Sequence, residues 1–214
     1  MYKKITHNIV EEHFDHPLAN QIKKSITRFT LPSTQTFDKF DFRTSVTTAM
    51  NNIATKLNLI LDGVNTSEVQ VVEAFEGIFA DINAVSELSK HFFPTEFSER
   101  LTQGLRGWAI YSLMMVHKAK VGQDYLMYKN SCNRTSSELV QTFTDFDSAM
   151  PMLSFQTALN SISTNISAKV DALVANNTEQ AKIANNTLLN DFRIFGNAYA
   201  NGIMSKFPER FTGI

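Results

Sequence analysis

The chain is poor in the residues that break regular structure. Its 214 residues include only eight glycines and five prolines, too few for the many tight turns of a β-sandwich or barrel, and this scarcity favours long helices. It has a single cysteine, Cys132, which excludes an intramolecular disulfide and suits a reducing compartment or an assembly that needs no staples. Charge is also short of a surplus. Twenty Lys and Arg face 21 Asp and Glu, a formal net charge of −1, so the basic field that phosphate binding draws on is missing and no nucleic-acid partner is expected.

Long apolar runs are lacking as well. The most apolar stretch, Trp108 to Val116, is about half the length needed to cross a bilayer, and Lys118 and Lys120 follow it, so no membrane span is expected. Lys3 and Lys4 lead into Glu11, Glu12, His13 and Asp15, not into the apolar segment of a signal peptide. A cytoplasmic location, or one inside an assembled particle, is the expectation. The signatures of P-loop, dinucleotide-binding, serine-hydrolase, zinc-protease and c-type haem proteins do not occur in the sequence, which removes the usual grounds for those activities. The Asn-x-Ser/Thr triplets at Asn65, Asn133, Asn165, Asn176 and Asn185 follow from a composition rich in Asn and Thr.

What is present is helical periodicity. Hydrophobic residues make up 43% of the chain and charged residues 19%, a balance that supports a folded core. Ile5, Ile9, Val10, Phe14, Leu18, Ile22, Ile26 and Phe29 follow steps of mainly three or four residues, predicting an amphipathic helix kinked or split at Pro17. Phe29 to Phe42 reads as an irregular segment pinned by four phenylalanines. Helical spacing resumes at Ser45 and ends at Asp62-Gly63. Ser67 and Gln70 then fit a capping box, and Thr95 fits a cap for a helix running toward Tyr128 and ending at Asn130 to Asn133. Gly104, Gly107 and Gly122 within that stretch mark close approaches or a break. A short helix follows from Ser136 or Ser137 to Met150. The expected fold is a single all-α, multi-helix bundle of about six to eight helices over residues 1–214. It comprises an N-terminal helix with the Phe-rich loop (1–44), central helices (45–150), and a long helix or helical hairpin (151–214).

The C-terminal segment departs most from an ordinary surface helix. Phe155, Leu159, Ile162, Ile166, Val170, Leu173, Leu188 and Phe192 form an apolar stripe, with a break available at Ala175-Asn-Asn-Thr178. From Pro151 to Lys206 there are seven charges, Lys169, Asp171, Glu179, Lys182, Asp191, Arg193 and Lys206, alongside nine of the chain's eighteen asparagines. A face of Asn, Ser, Thr and Gln costs less to desolvate than one of Lys and Glu, and charge depletion marks interface cores. That pattern predicts a non-enzymatic structural or interaction subunit of a particle, filament or other complex. It would self-associate or join other protein subunits, with the stripe as its contact surface.

The alternative is a helical metal- or haem-dependent enzyme. His7, Glu11, Glu12, His13, Asp15 and His16 cluster near the N-terminus, with i,i+4 pairs that could present two ligands on one face. His13, His16, His91 and His117, with a carboxylate such as Glu87, are the candidate ligands for iron, manganese or haem. Glu73 and Glu76 lack the Glu-x-x-His spacing of di-iron bundles. Cys132 beside Arg134 has no histidine at a fixed spacing. His16-Pro17-Leu18 with Leu31-Pro32 and Phe37 resembles the opening of haem-oxygenase-like enzymes of the thiaminase and non-haem iron type. The likeness ends there, since Gln123-Asp124-Tyr125, a tripeptide such enzymes can carry, falls far later in this chain.

Overall fold

The computed structural model describes residues 35–146 and 152–213. The chain divides into two units between Leu31 and Pro32, and the described residues all belong to the second. The helix predicted over residues 5–29 therefore lies outside them. Six helices make up nearly all of what is described, an all-α bundle. They are α1 (Lys39–Asp62), α2 (Glu68–Lys90), α3 (Thr95–Lys120), α4 (Leu126–Phe146), α5 (Met152–Val174) and α6 (Thr178–Lys206). Short connections make consecutive helices antiparallel neighbours, and each packs on the next while α6 closes back on α1. Arg43 on α1 reaches Asn201 on α6, which sets the start of the first helix beside the end of the last. That end of the bundle is tied by two short strands in parallel register, β1 (Phe37–Asp38) and β2 (Phe211–Thr212). Between α6 and β2, Arg210 in a 3₁₀ turn donates to the Gln35 and His91 carbonyls.

Helix boundaries follow from local hydrogen bonding. α1 begins earlier than apolar spacing predicts, because an Asp38 carboxylate oxygen accepts from the Phe40 and Asp41 amides at 2.8 and 3.0 Å and satisfies two orphan donors. The Phe-rich segment is correspondingly shorter. Its Phe37 and Phe42 join Phe92 and Phe211 in an aromatic cluster, whereas Phe40 is not an anchor and stands 75% exposed. Ser67 occupies the N-cap of α2 but makes no side-chain cap bond, and Pro94, not Thr95, precedes α3.

The break predicted at Asn130 to Asn133 falls earlier. Gly122 takes φ +66°, and the Gly122 and Gln123 amides donate to the Ala119 and Lys118 carbonyls at 3.1 and 2.9 Å, a Schellman ending that glycine adopts without strain. The polar residues 130–137 are then interior to α4. Their helix survives because the Ser131, Thr135 and Ser137 hydroxyls donate to carbonyls one turn back, and Cys132, Thr135, Ser136 and Leu139 are buried. Gly104 is the close approach. A Cβ there would lie 2.4 Å from Leu139 Cδ2, so only glycine lets α3 and α4 meet at that level.

The C-terminal segment is a hairpin. Asn176 takes φ 56° and ends α5 with amide bonds from Asn176 to Leu173 and from Asn177 to Ala172. The Asn177 side chain then accepts from the Gln180 amide at 3.0 Å and starts α6. Two adjacent asparagines make the turn, the first by tolerating the left-handed region and the second by capping.

Candidate functional site

Two of the seven hairpin charges lie inside the bundle. Lys169 is 2% exposed, and its Nζ donates among four oxygens: Asn58 O at 3.1 Å, Asn58 Oδ1 at 2.9 Å, Asn185 Oδ1 at 2.9 Å and Asp62 Oδ1 at 2.8 Å. One ammonium thus joins α1, α5 and α6. Burial holds its pKa below the ordinary lysine value, opposed by the Asp62 carboxylate. Asp191 on α6 is also buried, and one of its oxygens accepts from Ser161 Oγ at 2.6 Å and Asn165 Nδ2 at 3.3 Å. Burial pushes its pKa up, against the lowering by those hydrogen bonds. Each could have been found from sequence as a charge in phase with an apolar stripe: Lys169 sits three residues after Ile166, and Asp191 three after Leu188. Their bonds run between helices of the same chain, so both read as internal ties.

The histidines are dispersed. His91 is the C-cap residue of α2, its ring against the edge of Phe37, while His117 lies in the last turn of α3, roughly 30 Å away along a helix rising about 1.5 Å per residue. They share no site. Glu87 pairs with Lys90 on the surface, and Glu73 and Glu76 are exposed. His13 and His16 lie outside the described residues. Among the described residues no group of three or more His, Cys, Asp and Glu is placed to hold a metal ion. The Cys132 thiol is buried, and desolvation pushes its pKa up.

The apolar stripe expected to contact other subunits belongs to the chain's own core. Phe155, Leu159, Ile162, Ile166, Val170, Leu188 and Phe192 are all fully buried and Leu173 is half-buried. A stripe this apolar finds its partners first within its own chain, here the neighbouring helices of the ring. What remains at the surface is different. With Lys169 and Asp191 inside, the outer face of the hairpin keeps Asp171, Glu179, Lys182, Arg193 and Lys206 among Asn, Ser and Thr.

Of the ten large apolar side chains exposed among the described residues, six lie at the end of the bundle opposite the two strands. Leu59, Val69, Val121, Leu126, Met127 and Val174 all lie within about one turn of a helix terminus there. Polar ties also cross this end: Lys120 donates to the Thr66 carbonyl, and Lys129 and Tyr125 both bond Asp171. Burial and that carboxylate push the Tyr125 pKa up to about 12. On its α4 side is an open concavity of about 550 Å³ lined by Asp124, Leu126, Met127, Asn130, Ser131 and Arg134. No helix among the described residues is long and apolar enough to cross a membrane. The chain matches no protein-family model, no curated protein and no solved structure.

Proposed function

We propose that the protein is a non-enzymatic helical subunit of a larger protein assembly. The observation that carries this reading is the gathering of Leu59, Val69, Val121, Leu126, Met127 and Val174 at one end of the bundle. Single exposed apolar residues are ordinary on a protein surface, but several gathered at one end of a bundle favour a place where another surface settles. The charge-poor outer face of α5 and α6 points the same way, since it is cheap to desolvate. The test is native mass and metal content measured on one sample. A mass well above the 24.1 kDa of one chain is expected. A monodisperse monomer at high concentration, or stoichiometric iron, manganese or haem, would overturn the reading.

A further inference from the structure

We infer that copies of this chain join head to tail, with Phe40 of one copy seated in the concavity at the start of α4 of the next. The inference rests on the assembly reading above and specifies its contact. Phe40, in the first turn of α1, is 75% exposed and stands between Lys39 and Asp41. The cyclic order of the helices puts that turn at the strand-tied end. The concavity is at the other end, and its lining includes Leu126 and Met127, which are 56% and 63% exposed. Its volume of about 550 Å³ accommodates an aromatic ring with its flanking side chains.

Charge selects the occupant. The lining also carries Asp124 and Arg134, and the projecting ring is flanked in sequence by Lys39 and Asp41. Docking one on the other sets Lys39 against Asp124 and Asp41 against Arg134, so the chain carries both halves of a complementary surface. Asp124 already caps the Leu126 amide through one oxygen, and Arg134 lies 3.5 Å from Glu138 on an exposed helix face. Both remain exposed. Their role is orientation, while the ring supplies the apolar burial at the centre of the contact.

Geometry makes the contact intermolecular. α1 has 24 residues, a length of about 36 Å at 1.5 Å per residue, so Phe40 cannot reach the concavity of its own chain. A contact between opposite ends of two copies is heterologous. It closes into a ring or continues as a filament and does not stop at a two-fold dimer.

Phe40→Asp and Met127→Asp test this. Both residues are exposed and lie in the first turns of their helices, where an acidic side chain is favourable, so the fold should be kept; circular dichroism and the melting midpoint check that. Wild type, each variant and their equimolar mixture are sized by light scattering over a concentration series. The expected result is that each variant alone associates at least tenfold more weakly than wild type. The mixture should then give a 1:1 dimer, because the intact concavity of Phe40→Asp accepts the intact ring of Met127→Asp. Variants that assemble as wild type does would overturn the inference and leave the assembly reading standing. Variants that are both monomeric and stay monomeric when mixed would overturn the pairing of these two sites. A wild type that is itself monomeric throughout would overturn the assembly reading, and the inference with it.

Discussion

The Lys169 ammonium donates to the Asn185 side-chain carbonyl at 2.9 Å, a bond between the two arms of the C-terminal hairpin that extends to Asn58 and Asp62 on α1. Three helices therefore share one buried cation. Replacing it removes the donor and leaves buried amide oxygens unmatched, which costs more than the pair is worth in isolation. Lys169→Ala is expected to destabilise the fold by about 2–4 kcal/mol in urea unfolding. Asp62→Asn, at a side chain 40% exposed and able to keep its carbonyl acceptor, should cost about 1 kcal/mol. Equal losses would contradict the arrangement.

Gly104 and Leu139 make a second test. A methyl group at 104 collides with the Leu139 side chain, so Gly104→Ala should lower stability by about 1–3 kcal/mol despite the better helix propensity of alanine. Leu139→Ala alone should cost about 2–5 kcal/mol. In the double variant the new methyl occupies part of the space that leucine leaves. The two losses should therefore fall short of adding, which a double-mutant cycle of denaturant midpoints reads directly.

At the hairpin turn, Asn176→Gly relieves the cost of a side chain at φ 56° and should raise the melting midpoint slightly. Asn176→Val should lower it by an amount corresponding to about 1–2 kcal/mol. Asn177→Ala removes the cap on Gln180 and should cost about 1 kcal/mol. The same substitution at Asn186, on the exposed face of α6, is a control expected to change little.

Asp191 sets a pH dependence. Its pKa is raised in the folded state, so folding takes up protons between the unfolded carboxylate value of about 4 and that higher value. Its contribution is fully present below the unfolded pKa and is lost as pH rises through the folded one. Asp191→Asn keeps an acceptor for Ser161 without the titration. Wild-type stability relative to the variant should thus decline as pH rises across that window, measured from urea midpoints at a series of pH values. A difference independent of pH would contradict the assignment.

Much of the fold is legible from local pattern. Few glycines and prolines with three-four apolar spacing identify helices, because these preferences act over one or two turns, and Ala175-Asn-Asn-Thr178 offers a break without choosing between one long helix and a hairpin. The boundary at Val121 was less legible. A glycine inside a helical pattern reads equally as a close approach or as a stop, and Gly104 and Gly122 turn out to be one of each. Of the candidate contact surface little was visible. Phe40 looks like one more aromatic anchor until Phe37 and Phe42 are seen to fill the cluster, and Leu126 and Met127 look like the interior of a longer helix.

One tetrapeptide separates what sequence determines from what packing decides. Ala-Asn-Asn-Thr occurs twice, at 175–178 and 184–187. The first copy is a turn with Asn176 in the left-handed region. The second is helical throughout, with Ala184 buried, Asn185 accepting from Lys169 and Thr187 donating to the Ile183 carbonyl. Local sequence allows either state, because asparagine suits a cap, a left-handed turn and, less well, a helix. What surrounds each copy settles the matter. The second has a buried ammonium to satisfy and an apolar face to keep in contact with the core, and the first stands at the open end of the bundle, where ending one helix and starting the next leaves the exposed peptide groups paired.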